Sequence, residues 1–253
     1  MLNMITHGSP TDQPPLLIVH GLYGSARNWG VVSKKLSDER QVIAVDNRNH
    51  GDSKRTDSHS YHDLASDLAE VLADIGPADV MGHSMGGKAA MVLAVQRPEL
   101  VNRLIVADIA PVAYGHTQLP FIHAMRAVDL EAVEKRSDAL EMLAAAGVED
   151  ATLRSFFTQS LDLKAKRWKL NLDTLEAEMT KIMGFPDNIS GSNSGRTLFL
   201  SGGDSDYVLP EHRAKIRDMF PKAAFVKISG TGHWLHAEKP TEFIATVRAW
   251  LNR

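Results

Sequence analysis

Gly82-His83-Ser84-Met85-Gly86 sets a serine between two glycines in the pattern G-x-S-x-G. A serine hydroxyl is a weak nucleophile until a base takes its proton. The pattern therefore points to acyl transfer and to the groups that would complete it. Mechanically it is a sharp strand-to-helix turn that leaves the hydroxyl exposed at its tip. The flanking glycines let neighbouring backbone pass without a Cβ in the way. Five residues alone match by chance in many proteins, but the context here is specific. Ala78 to Met81 is short, apolar and strand-like, the residues from Met85 to Gln96 make a good helix, and Pro98 stops it.

The expected base is His233, in the glycine-rich segment Gly230-Thr231-Gly232-His233-Trp234 after the last apolar run. A histidine in such a loop can swing over a sheet edge towards Ser84. His236, beside Glu238 at the start of the terminal helix, reads as structural. In elbows of this kind the chain order is Ser, then Asp or Glu, then His. The usual acid position, in a pattern resembling G-x-x-D, is filled here by Ser205, with Asp204 and Asp206 on either side. A hydroxyl cannot stabilise an imidazolium by charge. Asp108, at the end of the preceding strand-like run, offers a carboxylate. The favoured reading makes Asp108 the acid and Ser205 an auxiliary hydrogen-bond partner, with Asp204 and Asp206 in turn contacts. Acyl transfer also needs donors for a developing oxyanion. These are expected from the backbone N–H groups of Met85 and of Leu22, the latter in His20-Gly21-Leu22-Tyr23-Gly24-Ser25. Neither metal nor organic cofactor is required, and His59, His62, His116 and His123 lack metal-ligand spacing. Arg48 and His50 read as residues that hold their own loop. Lys88 is either a solvated helix residue or a contact for an anionic substrate.

The elements that would position these groups alternate along the chain. Strand-like runs are Leu16 to His20, Gln41 to Asp46, Ala78 to Met81, Arg103 to Asp108, Thr197 to Ser201 and Ala224 to Ser229. Their continuous hydrophobicity suggests strands covered on both faces, as in a parallel sheet. Helical stretches fall between them: Ala26 to Asp38, Tyr61 to Ile75, Met85 to Gln96, Glu211 to Met219 and Pro240 to Asn252. The alternation predicts a doubly wound α/β fold with ligands at the C-terminal strand ends. His20, Asp46, Ser84, Asp108 and the Ser201 loop would converge there. Residues 112–194 break the alternation and read as an inserted helical cap, with Phe156, Phe157, Trp168 and the cap methionines chiefly packing its core and some of them facing an apolar acyl group. Residues 1–111 and 195–253 would form the main body.

The 253 residues are 43% hydrophobic and 23% charged, with a net charge of -3, the balance of an ordinary soluble globular protein. No basic excess suggests a nucleic-acid partner. Cysteine is absent, which excludes disulfides, a thiolate nucleophile and cysteine metal sites. The first residues lack a signal-peptide pattern and no apolar run approaches membrane-spanning length, so a cytoplasmic setting is the simplest inference.

Across essentially its whole length the chain resembles the α/β-hydrolase superfamily. Asp46-Asn47-Arg48-Asn49-His50-Gly51, Gly82 to Lys88, Asp108-Ile109-Ala110-Pro111-Val112, Gly202 to Val208 and His233 to Pro240 look like one branch of it. That branch is the small bacterial YbfF-type esterases and their mitochondrial abhydrolase relatives. The resemblance implies a mostly parallel central sheet flanked by helices with an inserted cap. It implies carboxylic-ester hydrolysis, with short acyl esters as expected substrates and acyl thioesters as a second class. It also supports an acid at Asp108 with a contribution from Ser205. Rival readings on the same fold are a cofactor-free haloperoxidase, a C–C bond hydrolase and a non-catalytic small-molecule receptor. An epoxide hydrolase or dehalogenase would place a carboxylate where Ser84 stands.

Overall fold

The structure is a computed structural model and describes residues 1–252. Short apolar and β-branched runs form strands because helices cover both of their faces, so no polar alternation is needed. In chain order the strands are β1 (Met4–His7), β2 (Leu16–Val19), β3 (Val42–Val45), β4 (Ala78–His83), β5 (Val101–Ala107), β6 (Leu161–Asp162), β7 (Arg167–Trp168), β8 (Arg196–Gly202) and β9 (Ala223–Ile228). Seven of them make one sheet in the order β1-β3-β2-β4-β5-β8-β9. β1 is antiparallel to β3, and every other pair in that sheet is parallel. This is the expected α/β arrangement.

The helices are α1 (Gly30–Leu36), α2 (Tyr61–Ile75), α3 (Met85–Gln96), α4 (Leu119–Arg126), α5 (Arg136–Ala145), α6 (Ala151–Thr158), α7 (Leu172–Ala177), α8 (Met179–Met183), α9 (Arg213–Met219), α10 (Leu235–Glu238) and α11 (Pro240–Leu251). α2 starts where Ser60 accepts a hydrogen bond from the Asp63 N–H, satisfying one donor of its first turn. One face of the sheet packs against α2, α3 and the helices that follow β5, through residues such as Leu68, Val80, Met91 and Phe157. The other face packs against α1 and α11 through Ile18, Trp29, Phe243 and Val247.

Two glycines of the serine turn are required by close approach. A Cβ on Gly82 would strike the Gly86 backbone, and one on Gly86 would strike the carbonyls of Val19 and His20. Only glycine lets α3 leave β4 so close to β2.

Three strands depart from the expectation. β1 was not anticipated, because it is a half-buried edge strand without a continuous apolar run. Within the stretch read as purely helical, β6 and β7 form an antiparallel hairpin between α6 and α7. The Ser/Gly-rich loop before β8 is anchored rather than loose: buried Asn193 donates to the Ala94 carbonyl at 2.6 Å. Among the described residues, no helix is long and apolar enough to cross a membrane.

Candidate active site

Ser84 sits at the junction of β4 and α3 with φ 52° and ψ -123°. A non-glycine residue held there stores roughly 1–3 kcal/mol of strain. The surroundings fix it: its N–H donates to the Ala107 carbonyl at 3.0 Å, and its carbonyl accepts from Gly87 at 2.8 Å and Lys88 at 3.1 Å. Asp108, the first residue after β5, also has positive φ (50°) and is completely buried. Its N–H donates to the Leu200 carbonyl at 2.9 Å, which continues the pairing of β5 with β8.

The two oxygens of Asp108 have different partners. Oδ1 accepts from the Gly202 N–H at 2.9 Å. Oδ2 accepts from the Ser205 hydroxyl at 2.5 Å and faces His233 Nδ1 at 2.8 Å. Asp108, Ser205 and His233 are thus brought together across the ends of β5, β8 and β9. Ser205 bonds the carboxylate rather than the imidazole. The side chains of Asp204 and Asp206 are exposed.

Three residues outside the expected set hold His233. The Tyr207 ring stacks on its imidazole, with centroids 4.1 Å apart and planes 23° apart. Glu238 straddles it, accepting from the Gly232 N–H at 2.8 Å and the Trp234 N–H at 3.1 Å. His83 Nε2 lies 2.9 Å from the His233 carbonyl. Since that carbonyl can only accept, the His83 nitrogen is the donor. Burial, then the neighbouring His233 and His236, push the His83 pKa well below its ordinary value, so it stays neutral. The only sequence signal for these three was proximity to the serine turn, to the base or, for Tyr207, to Ser205.

The loop after β2 comes close enough to Ser84 that a Cβ on Gly21 would lie 3.1 Å from the serine Cβ. Two neutral histidines shape this loop. His20 Nε2 accepts from the Asn47 N–H at 3.0 Å, so its Nδ1 donates to the Gly21 carbonyl at 2.7 Å. His50 Nε2 accepts from the Tyr23 N–H at 3.2 Å, so its Nδ1 donates to the Arg48 carbonyl at 3.0 Å. Burial lowers both pKa values. Arg48 itself grips Asp67 through Nε at 2.6 Å and Nη2 at 2.9 Å.

Leu22, Ser84, Met85 and His233 border one cavity of about 80 Å³, walled largely by apolar residues including Phe121, Leu153, Phe156 and Trp234. Lys88 borders it too and is buried, which rules out the solvated reading. Its Nζ donates to the carbonyls of Met183 at 3.0 Å and Gly184 at 2.5 Å. Burial, reinforced by the like charge of Lys215, lowers its pKa to about 7. His236 does not border the cavity: its ring stacks on Trp29 with centroids 4.3 Å apart and packs edge-on against His83 at 4.8 Å. Burial and then His233 lower its pKa to about 3.

The sequence pattern described as "Alpha/beta hydrolase family" matches residues 16–246. Mouse "sn-1-specific diacylglycerol lipase ABHD11" is 41% identical over 249 residues, covering 94% of this chain and 81% of that protein. "Esterase YbfF" of Escherichia coli (strain K12) is 33% identical over 246 residues, covering 95% and 94%. A solved structure titled "Marine microorganism esterase" superposes with a TM-score of 0.93 at 35% identity, over 98% of both chains.

Proposed function

The chain belongs to the alpha/beta hydrolase family and is a hydrolase of the esterase type; from that premise we propose that it cleaves carboxylic esters through an acyl-enzyme on Ser84. His233 Nε2 takes the hydroxyl proton as Ser84 attacks the ester carbonyl, and Asp108 stabilises the imidazolium that forms. The backbone N–H groups of Leu22 and Met85 receive the charge that develops on the carbonyl oxygen. The alcohol leaves with a proton from His233. Water then repeats the sequence on the acyl-enzyme and releases the acid.

The observation that carries this reading is the 2.8 Å contact of Asp108 with His233 Nδ1, in a histidine that shares a cavity wall with Ser84. With Nδ1 engaged by the carboxylate, Nε2 is the nitrogen free to take a proton. Ser205 contributes by holding the carboxylate in place. We assign residues 112–194 as a cap over a body made of residues 1–111 and 195–253, since Phe121, Phe156 and Met183 from that stretch help enclose the cavity. The small apolar enclosure favours short acyl esters, with acyl thioesters as the second class.

Hydrolysis of p-nitrophenyl esters of increasing acyl length, with Ser84→Ala in parallel, tests the proposal. Turnover should peak at short chains and vanish in the variant. A peak at long chains would replace the short-acyl assignment with a lipase-like one, as the name of the mouse relative has it for that protein. No Ser84-dependent turnover at any length overturns the acyl-enzyme.

A further inference from the structure

Lys88 stands four residues after Ser84 on α3, one helical turn and about 6 Å along the axis. It is 1% exposed and borders the same cavity. Buried lysines are ordinarily matched by a carboxylate, because an uncompensated charge is costly away from water. Here the hydrogen-bond partners of Nζ are neutral: the carbonyls of Met183 and Gly184 at the end of α8. The rings of Tyr114 and Tyr61 lie 4.8 and 5.6 Å from Nζ. The charged neighbour felt at the site is Lys215, of the same sign.

An ammonium has three N–H donors, and the two carbonyls use two of them. A neutral amide could bond one or both carbonyls without bringing in a charge that the fold leaves uncompensated. The carbonyls at the α8 C-terminus and the two ring faces stabilise a cation only through partial charges; an anion in the cavity would add a full charge of opposite sign. The alcohol half of an ester must leave for solvent, whereas the acyl half stays bonded to Ser84. A buried ammonium one turn along the nucleophile's own helix, on the wall of the same cavity, lies within reach of the half that stays on Ser84.

We propose that Lys88 is a specificity-determining counter-ion for a carboxylate on the acyl arm of the substrate, so that the preferred esters or thioesters are half-esters of short dicarboxylic acids. This rests on the acyl-enzyme reading above and narrows it.

The test compares the mono-p-nitrophenyl ester of glutaric acid with p-nitrophenyl pentanoate, which ends in a methyl instead of the carboxylate, with Ser84→Ala as background. Wild type should favour the glutarate in kcat/KM by roughly tenfold or more. In Lys88→Met and Lys88→Gln that ratio should fall by roughly 10- to 100-fold, the range of one charge-assisted hydrogen bond. Lys88→Gln keeps a donor for the Met183 and Gly184 carbonyls, so a lysine that merely ties α8 to α3 would keep its ratio there. A wild-type ratio near or below one overturns the proposal even if neither variant folds. So do variants that depress both esters equally. In those cases Ser84-dependent turnover of the pentanoate leaves the general esterase reading standing. Loss of Ser84-dependent turnover for both esters would instead overturn that reading itself.

Discussion

Replacing Asp108 by asparagine should disable the site without altering its shape, and the structure says why the amide cannot evade the effect. The Gly202 N–H donates to Oδ1, so the asparagine must put its carbonyl oxygen there. Its NH2 then occupies the Oδ2 position, facing Ser205 and His233. The serine hydroxyl can rotate and accept. His233 can comply only by presenting a lone pair at Nδ1, which moves its proton to Nε2. That nitrogen must be unprotonated to take the proton of Ser84. The expected loss is roughly 10³- to 10⁴-fold in kcat, about 4–5.5 kcal/mol at the transition state. Ser205→Ala keeps both the carboxylate and the histidine tautomer. It removes one hydrogen bond to a charged group, worth about 1.5–3 kcal/mol, only part of which reaches the transition state; roughly a tenfold loss is expected. Asp204→Asn and Asp206→Asn should stay near wild type. The assay is kcat on the best p-nitrophenyl ester, with thermal unfolding to verify that each variant is folded. A folded Asp108→Asn variant that loses less than tenfold, or a Ser205→Ala variant more damaged than it, would refute the assignment of roles.

Three further outcomes follow from the same geometry. Ser84→Gly should be about 1 kcal/mol more stable than Ser84→Ala in urea unfolding. Glycine relieves roughly 1–3 kcal/mol of strain at positive φ and gives back about 0.5–1 kcal/mol in chain entropy; a Ser84→Gly variant less stable than Ser84→Ala by about 0.5–1 kcal/mol would mean the turn is unstrained. Gly86→Ala should cost about 3 kcal/mol or more, the upper end of overpacking, because its Cβ meets backbone carbonyls that no rotamer change can move; a variant within about 0.5 kcal/mol of wild type contradicts that. The third concerns Lys88, whose pKa near 7 in the folded chain lies below the ordinary lysine value of about 10.4. Between those limits the unfolded chain binds more protons, so stability rises with pH by up to about 1.4 kcal/mol per unit. The burial penalty is therefore full below pH 7 and is relieved as pH rises. Urea unfolding at pH 7 and pH 9 should show this rise in wild type relative to Lys88→Met; parallel behaviour of the two would show that Lys88 titrates normally.

What the sequence disclosed was what carries a local signal. α2 and α3 run over the expected spans because their ends are punctuated: Ser60 and the turn at Ser84 begin them, and Gly76 and Pro98 follow their ends. β2, β3 and β4 were legible because burial on both faces demands unbroken apolar runs. β1 gave no such run, since an edge strand is covered only in part. The two-residue strands β6 and β7 are too short to establish a period. Ser84 and His233 could be found from their glycine-rich surroundings, and Asp108 from its place at a strand end. Tyr207, Glu238 and His83 could not, because their effect on His233 exists only once the loops after β8 and β9 close on β4.

The histidines show how composition and chemistry combine at this site. His20, His50, His59, His83 and His236 are all buried, and burial is the largest cause of the lowered pKa of each. A neutral imidazole offers one donor and one acceptor on opposite sides of a rigid ring. It can therefore tie an N–H to a carbonyl, as His50 does between Tyr23 and Arg48 and His20 does between Asn47 and Gly21. Lysine and arginine can only donate, and a carboxylate can only accept. Around a centre that must develop both an oxyanion and an imidazolium, neutral struts fix the loops without adding charge of their own in a poorly screening interior. Asp108 supplies the carboxylate that faces the His233 imidazole, held in place by two other hydrogen-bonded neighbours, the Gly202 N–H and the Ser205 hydroxyl. Lys88 departs from this pattern: among the described residues its charge has no carboxylate partner, and for that reason it is the residue most informative about what the cavity holds.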